Sequence, residues 1–160
     1  NAAAALAVAG ALGVPLDRAA AALHATEVTG MRMEIVRTAR GAMIVNDAYN
    51  ANPPSVLAAL DALAAMAGRR KVAVLGVMAE LADPAEQHRR VASHAAALGI
   101  ELVPVGTDLY GPCGLEASAV PGVLGSLASG DAVLVKGSRV AGLEHVVRLL
   151  VEDVAGGETA

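Results

Sequence analysis

The chain has 160 residues and a formal net charge of −4, and 55% of its residues are hydrophobic although only 1% are aromatic. It contains no Trp or Phe, so its core must be built from Val, Leu, Ile, Ala and Met. The length fits one domain with at most a fragment of a second. The charge argues against a basic face for non-specific nucleic-acid binding, and the lack of aromatics argues against a base-stacking platform.

The single cysteine and the apolar start of the chain concern its cellular compartment. Cys113 is the sole cysteine, which excludes an internal disulfide and fits a reducing compartment. With no His nearby in sequence, a small buried apolar residue is favoured over a nucleophile. Residues 1–14 are apolar but lack a basic n-region, and Pro15 leads into another helical pattern. This favours a helix of a folded protein over a signal peptide or membrane span.

Helical and strand patterns alternate along the chain. The predicted elements are helices over Asn1–Leu12 and 17–24, a β-hairpin of Met33–Arg37 and Ala42–Val45, a helix over Ser55–Ala67, a strand over Lys71–Leu75, a helix over 84–98, a strand over Glu101–Val105, helices over Thr107–Ala117 and Val120–Ala128, a strand over Ala132–Val135 and a helix over Ala141–Val154. Gly41 marks the hairpin turn, and Asp17, Ser55, Asp83 and Thr107 are expected to be N-caps. A domain boundary is expected near residues 26–30.

The order of these elements predicts an α/β fold. Apolar strands that are each followed by a helix are typical of a parallel sheet covered on both faces. We predict a Rossmann-like three-layer domain with a mostly parallel sheet and an N-terminal β-hairpin, preceded by a helical tail. Right-handed crossovers place the ends of the strands at one edge. Four polar clusters are expected to meet there: Asn46–Asn52, Gly76–Glu80, Gly106–Tyr110 and Lys136–Arg139.

The first cluster lies between a strand and a helix, an arrangement that binds ligands in open α/β sheets. Asp47 could accept hydrogen bonds from the vicinal hydroxyls of a ribose, or could cap its own turn. Asn50 and Asn52 are equally compatible with turn formation and with ligand contacts. The N–H groups of the following helix favour an anionic ligand.

Positive side chains are predicted at two places near this edge. Lys136 and Arg139 flank Ser138 at a predicted helix N-terminus, where cations oppose the helix dipole. That placement favours binding of a carboxylate or phosphate over a role in stability. Arg32, just before the hairpin, could reach a phosphate, although a lone arginine is more often a solvated surface residue.

Other polar side chains give little evidence for a metal. Glu80 follows a strand and could support the site, whereas His88 has no paired His or Cys at ligand spacing. His24, His94 and His145 are interpreted as surface or partly packed residues. The chain has no GxxxxGK[ST] loop, no GxGxxG after a strand and no GxSxG elbow, which argues against a triphosphate cradle, a dinucleotide site and a hydrolase nucleophile.

Four motifs in order resemble the C-terminal domain of the Mur ligases. They are Gly30–Glu34, similar to Gly-Arg-Met-Glu with Met31 inserted, Asn46–Pro53, Leu75–Leu81, similar to Leu-Gly-Asp-Met-Ala-Glu-Leu, and Val135–Arg139, which matches Val-Lys-Gly-Ser-Arg. His88 falls where the family often has histidine, and Asn1–Ala7 resembles the end of the central ATPase domain. In two departures, Asn46 stands where the family often has a second aspartate and Val77 replaces another.

The resemblance implies a role for each site residue. Asn1 would lie near the adenine, Arg32 would contact ATP phosphate and Asp47 would hold the ribose. Tyr49 and Asn50 would also bind the nucleotide, Asn52, Glu80 and Ser138 would bind substrate, Lys136 and Arg139 would be catalytic, and no metal ligand is expected in this chain. The implied domains are a helical end of the central ATP-binding domain at 1–29, the C-terminal domain at 30–155 and a frayed tail at 156–160.

The implied reaction is ATP-dependent amide formation in peptidoglycan precursor synthesis. The Tyr-Asn-Ala-Asn run favours the branch that adds D-alanyl-D-alanine to UDP-N-acetylmuramoyl-tripeptide in the cytoplasm, with no nucleic acid and no membrane insertion. ATP and Mg²⁺ would be held mainly by a central domain that this chain lacks, so the chain alone is expected to be inactive. The alternatives are another Mur-type amino-acid ligase and a stand-alone Rossmann-like nucleotide-binding or interaction module.

Overall fold

The computed structural model describes residues 2–25 and 30–152. The elements are α1 (Ala2–Ala11), α2 (Leu16–His24), β1 (Glu34–Arg37), β2 (Met43–Asp47), α3 (Pro53–Ala65), β3 (Arg70–Leu75), α4 (Pro84–Ala97), β4 (Glu101–Pro104), α5 (Val120–Leu124), β5 (Asp131–Lys136) and α6 (Glu144–Glu152). Short 3-10 helices at Ala117–Ala119 and Arg139–Ala141 come before α5 and α6. The predicted hairpin and the later alternation of strands with helices are confirmed.

A five-stranded sheet with the order β1-β2-β5-β3-β4 forms the middle layer. β1 is antiparallel to β2 and all other neighbours are parallel, which confirms the predicted α/β fold with its N-terminal hairpin. Asp47 at the end of β2 and Leu75 at the end of β3 both pair in register with Lys136 of β5. These three strands therefore end together at one edge of the sheet.

Two apolar cores cover the two faces of the sheet. α5 and α6 pack on one face, and α3 and α4 pack on the other. Along β3, Val72 and Val74 point to the first core, whereas Ala73 and Leu75 point to the second. Every residue of β5 is buried because it is the central strand, which explains its nearly continuous apolar sequence.

The two N-terminal helices are packed differently from the rest. Neither α1 nor α2 has a buried residue, and Val8 and Leu12 are exposed. The boundary expected near 26–30 lies mostly outside the described residues. In the two described stretches, 2–25 and 30–152, no helix is both long and apolar enough to cross a membrane.

The predicted helix caps Asp17 and Ser55 are wrong, whereas the predicted cap Asp83 is confirmed. Asp17 lies inside the first turn of α2, where an acidic side chain suits the helix dipole without capping it. The cap of α3 is Asn52, because its Oδ1 accepts the Ser55 N–H at 2.9 Å and the Ser55 Oγ accepts the Asn52 N–H at 3.1 Å. The two prolines between them lack N–H groups, so they fit the first helical positions and start the helix earlier than expected.

The helix predicted over Thr107–Ala117 is absent from the structure, which has turns and an isolated bridge at 107–116. The Thr107 hydroxyl accepts the N–H two residues on, and the Asp108 carboxylate accepts the Gly114 N–H at 2.7 Å. These local side-chain bonds compete with helical backbone bonds. Cys113 is exposed on this loop, so the expectation that it is buried is also wrong.

The last helix begins later than predicted. α6 starts at Glu144 instead of Ala141, because Gly142 adopts a left-handed backbone with φ 60° after the short 3-10 helix. The loop Lys136–Arg139 is therefore not the N-terminus of α6. The expectation that its cations oppose that helix dipole is wrong.

Candidate functional site

Three of the four predicted polar clusters meet at the strand ends and line two neighbouring clefts. The Asp47 cleft has a volume of about 600 Å³ and is lined by Arg32, Met33, Asp47, Tyr49, Asn50, Asn52, Ser55 and Lys136. The Glu80 cleft has a volume of about 430 Å³ and is lined by Tyr49–Asn52, Ala79–Leu81 and Ser138–Val140. Residues 49, 50 and 52 belong to both clefts. The fourth cluster, Gly106–Tyr110, lines neither cleft.

A buried ion pair forms one side of the Asp47 cleft. Lys136 Nζ lies 2.5 Å from Asp47 Oδ2 and donates a second hydrogen bond to the Asn50 carbonyl at 2.8 Å. The Lys136 side chain is only 3% exposed, and that of Asp47 is 15% exposed. Asp47 Oδ1 also accepts the Met33 N–H at 3.2 Å. Lys136 therefore binds Asp47 and the Asn50 backbone within the chain. Its catalytic role stays a prediction.

An arginine–aromatic pair forms the other side of this cleft. The Arg32 guanidinium carbon lies 4.1 Å from the centre of the Tyr49 ring, within cation–π distance. Both side chains are exposed. Stacking fixes the plane of the guanidinium and leaves its N–H groups free to face an anion in the cleft.

The amides between the two clefts serve the turn. Asn50 Oδ1 accepts the Ala51 N–H at 2.8 Å, and Asn52 Oδ1 is taken by the capping bond to Ser55. The side-chain oxygens of Asn50 and Asn52 thus form local turn and cap hydrogen bonds, as one of the two predicted roles requires. Their ligand contacts stay a prediction, and the side-chain NH₂ groups are the atoms that could make them.

Ser138 joins the loops on both sides of the Glu80 cleft. Its Oγ accepts the Ala79 N–H at 2.8 Å and lies 3.3 Å from the Ala51 carbonyl, to which it donates. Its N–H donates to the Val77 carbonyl at 2.9 Å. Because Ser138 is 4% exposed and its hydroxyl is occupied, it fixes the shape of the cleft. Contact between Ser138 and a substrate stays a prediction.

Two glycines allow these loops to lie against each other. A Cβ on Gly137 would come within 2.9 Å of Leu143 Cδ1, and one on Gly76 would come within 2.8 Å of Ala141 Cβ. Glu80, on the same loop as Gly76, has a left-handed backbone with φ 60°. Its side chain is exposed at the Glu80 cleft. The close approach of the loops after β3 and β5 thus brings Glu80 and Ser138 to one cleft.

Arg139 lies at the open side of the Glu80 cleft. Its Nη1 is 3.4 Å from Met31 Sδ and 3.7 Å from Glu144 Oε1. The Arg139 side chain remains 59% exposed, so its charge is accessible to a ligand. Asn1, the predicted adenine neighbour, lies outside the described residues.

Sequence reasoning missed a buried network beneath the Glu80 loop. His88 Nε2 accepts the Met78 N–H at 2.9 Å, so its Nδ1 carries the proton that reaches the Pro84 carbonyl at 2.5 Å. Tyr110 donates its hydroxyl to the Gly76 carbonyl at 2.9 Å, and burial raises the pKa of this phenol. The His88 and Tyr110 rings meet edge to face at 4.8 Å. His88 is thus a buried support of the loop, and no sequence motif marked Tyr110 as its neighbour.

Comparison with known proteins gives a consistent result. Residues 31–139 match the family model described as Mur ligase, glutamate ligase domain. UDP-N-acetylmuramoyl-tripeptide–D-alanyl-D-alanine ligases are similar to this chain, with 38% identity for the one from Mycobacterium tuberculosis, covering 96% of this chain, and 32% for the one from Bacillus subtilis, covering 95%. In each case the chain spans only 37% of the relative.

Solved structures show the same fold. The structure of UDP-N-acetylmuramoylalanyl-D-glutamyl-2,6-diaminopimelate–D-alanyl-D-alanyl ligase from Acinetobacter baumannii superposes on this chain with a TM-score of 0.81 and 29% identity. The match covers 94% of this chain and 35% of that one. MurF from Thermotoga maritima, solved in complex with ADP, superposes with a TM-score of 0.79 and 24% identity. The match covers 94% of this chain and 36% of that one. At this identity the likeness shows the fold alone. The chain therefore belongs to the Mur ligase family, and residues 31–139 form the family's C-terminal glutamate ligase domain.

Proposed function

We propose that this chain is the C-terminal part of the ATP-dependent ligase that adds D-alanyl-D-alanine to UDP-N-acetylmuramoyl-tripeptide. The observation that carries the proposal is the meeting of Arg32, Asp47 and Tyr49 at one cleft. The names of the relatives that are 32–38% identical over most of this chain support the choice of acceptor. Consumption of ATP and a UDP-linked substrate would place the reaction in the cytoplasm.

The donors and acceptors of the Asp47 cleft fit a nucleotide. The Asp47 carboxylate faces the cleft and is held from behind by Lys136, so its remaining lone pairs suit the two hydroxyls of a ribose. Arg32 would contact phosphate, where its planar fork of N–H groups matches phosphate oxygens. Tyr49 keeps Arg32 in place, and the Asn50 side-chain NH₂ would complete the nucleotide contacts.

The Glu80 cleft suits the dipeptide acceptor. Glu80 would bind its ammonium group, Arg139 would bind its carboxylate, and the Asn52 NH₂ would add a hydrogen bond. Ser138 would contribute by shaping the cleft. Because the Tyr49–Asn52 loop separates this cleft from the Asp47 cleft, the dipeptide and the nucleotide would lie side by side.

Amide formation requires an activated carboxylate. The tripeptide carboxylate would attack the γ-phosphate of ATP, which gives an acyl phosphate and releases ADP. The amine of D-alanyl-D-alanine would then attack the acyl carbon, lose a proton and displace phosphate to form the amide. The residues of this chain would orient the two reactants and neutralise charge with Arg32 and Arg139. Closure of this domain over the reactants would exclude water, which otherwise hydrolyses the acyl phosphate.

Magnesium is proposed to bind mainly outside this chain. Within residues 2–25 and 30–152, no group of three or more His, Cys, Asp or Glu side chains could hold a metal ion. The phosphate loop and the magnesium ligands would belong to a central domain upstream. Residues 1–29 would be the helical end of that domain, residues 30–155 the C-terminal domain, and the segment 156–160 lies outside the described residues.

The experiment uses the full-length protein that contains this chain. Phosphate release from ATP is measured with UDP-N-acetylmuramoyl-tripeptide, with and without D-alanyl-D-alanine. We expect release to need both substrates and Asp47→Ala to raise the KM for ATP by about tenfold or more, since hydrogen bonds to a charged group are lost. The control is Asp61→Ala, which removes an exposed aspartate of α3 that pairs with His94.

Each other outcome has a definite meaning. Release that depends on a different amino acid would keep the family and change the acceptor. No release with any pairing, together with tight ATP binding by the 160-residue chain alone, would favour a nucleotide-binding module. Equal effects of the two aspartate variants would remove Asp47 from the nucleotide site.

A further inference from the structure

Val140 is an exposed aliphatic residue in the wall of the Glu80 cleft. It lies in the short 3-10 helix Arg139–Ala141 and is 79% exposed. Single exposed apolar residues are common on protein surfaces, so exposure alone indicates no function. Val140 differs from the others because it lines a cleft together with the charged residue that precedes it, Arg139.

The backbone on both sides of Val140 is fixed by hydrogen bonds and packing. The Ser138 carbonyl accepts the Ala141 N–H at 2.9 Å, and the Arg139 carbonyl accepts the Gly142 N–H at 3.3 Å. Ala141 packs against the first core. Successive residues of a 3-10 helix are about 120° apart around its axis, so the inward position of Ala141 leaves Arg139 and Val140 on the two outward sides. A cation and an aliphatic side chain are thus held next to each other at the cleft.

The acceptor dipeptide has matching groups at its carboxyl end. In D-alanyl-D-alanine, the terminal carboxylate and the second methyl group are bonded to the same carbon atom. Side chains that bind these two groups must therefore be neighbours in the protein. A carboxylate is bound by a cation and a methyl group by an apolar surface, which Arg139 and Val140 supply side by side.

We propose that Val140 is a specificity-determining residue that contacts the methyl group of the second alanine of the dipeptide. This proposal rests on the proposed function, because it assumes that D-alanyl-D-alanine binds in the Glu80 cleft with its carboxylate at Arg139. The first alanine then lies towards Glu80, and its methyl group makes no contact with Val140. The contact favours a second residue with a methyl side chain over glycine.

Val140 can be changed with little effect on the core. Leu81 is the other large aliphatic residue in the lining of this cleft, but it packs partly against the second core. A change at Leu81 would therefore alter the core and the cleft together. Because Val140 is so exposed, its truncation tests contact with the ligand separately from the stability of the fold.

The experiment measures the KM for three acceptors with the full-length protein at saturating ATP and UDP-N-acetylmuramoyl-tripeptide. The acceptors are D-alanyl-D-alanine, D-alanylglycine, which lacks the second methyl group, and glycyl-D-alanine, which lacks the first. Val140→Ala should raise the KM for D-alanyl-D-alanine and for glycyl-D-alanine about fourfold, the ratio that corresponds to one methyl-sized contact. The KM for D-alanylglycine should stay the same, because this acceptor has no methyl group for Val140 to contact.

Two further variants separate the apolar contact from other effects. Val140→Thr keeps the shape of the side chain and replaces one methyl group with a hydroxyl, so it should raise the same two KM values. The matched control is Val123→Ala, which truncates an exposed valine of α5 that lines neither cleft. This control should leave all three KM values unchanged, and the KM for ATP should be the same in all variants.

The outcomes distinguish this contact from the proposed function. Equal KM values in Val140→Ala and wild type, or an equal rise for all three acceptors, would overturn the contact with the second methyl group. A rise confined to D-alanyl-D-alanine and D-alanylglycine would assign Val140 to the first alanine and would also overturn the proposal. In these cases the wild-type protein would still require D-alanyl-D-alanine for phosphate release. Wild-type release that does not depend on D-alanyl-D-alanine would overturn both the proposed function and the Val140 contact.

Discussion

The Asp47 cleft and the Glu80 cleft share the Tyr49–Asn52 wall but are built from different contacts. The Asp47 cleft is organised around a buried charge pair, Asp47 and Lys136. The Glu80 cleft is organised by the Ser138 hydroxyl, which accepts the Ala79 N–H of one loop and donates to the Ala51 carbonyl of another. In both clefts the buried polar groups hold the shape, while exposed side chains such as Arg32 and Glu80 remain available to ligands. This difference predicts which changes should affect one cleft more than the other.

The largest effect is expected for the charge pair. Lys136→Met would leave the mostly buried Asp47 carboxylate unpaired and would release the Asn50 carbonyl, so we expect a loss of about 3 kcal/mol in the free energy of unfolding. Urea unfolding measures this loss. The matched control is Lys71→Met, on the neighbouring strand, where the ammonium group donates to the Ala64 carbonyl and to no other group of the described residues. Equal losses in the two variants would contradict a special role for the pair.

A smaller effect is expected in the other cleft. Ser138→Ala removes the acceptor of the Ala79 N–H and should reduce the free energy of unfolding by about 2 kcal/mol. The KM for D-alanyl-D-alanine in the full-length protein should rise more than the KM for ATP, because the Glu80 loop loses its hydrogen bond from the Ala79 N–H to Ser138. Ser93→Ala, on the exposed face of α4, serves as the control. A larger change in the KM for ATP would reverse the assignment of the two clefts.

The smallest effect concerns the support beneath the Glu80 loop. Tyr110→Phe removes the hydrogen bond to the Gly76 carbonyl and should cost about 1 kcal/mol at neutral pH. Burial raises the pKa of the Tyr110 phenol, so the folded state keeps its proton when the unfolded chain begins to lose it near about pH 10. The stabilisation is therefore complete below that pH and decreases as the pH rises further.

Urea unfolding of wild type and Tyr110→Phe at about pH 8 and about pH 10.5 isolates this contribution, because all other groups titrate alike in both proteins. The difference in the free energy of unfolding should become smaller at the higher pH. A constant difference would show that the phenol proton is not retained by the fold.

The sequence predicted the elements that depend on local patterns and on topology. The β-branched runs around Gly41 form the hairpin, and the apolar strands form the parallel sheet. Because parallel strands end at one edge, three polar clusters were correctly expected to meet there. Three of the four motifs that carry the resemblance to the Mur ligases overlap those clusters, and the resemblance is confirmed by the family match.

Other features depended on contacts that no local pattern displays. Lys136 was expected to bind the carboxylate or phosphate of a ligand, but the register opposite Asp47 supplies a carboxylate from the chain itself. Thr107 resembled a helix cap, yet Asp108 closes a turn with Gly114. The meeting of His88 with Tyr110 joins residues 22 positions apart in the sequence whose contact depends on how α4 packs beside the loop after β4.

The common wall between the clefts has a thermodynamic consequence. Residues 49, 50 and 52 line both clefts. A ligand that orders this loop from one cleft therefore changes the conformational entropy that the loop loses when a second ligand binds in the other cleft. Linkage requires the change in binding free energy to be equal in both directions. The affinities of the two clefts are therefore expected to be coupled even if the two ligands never touch.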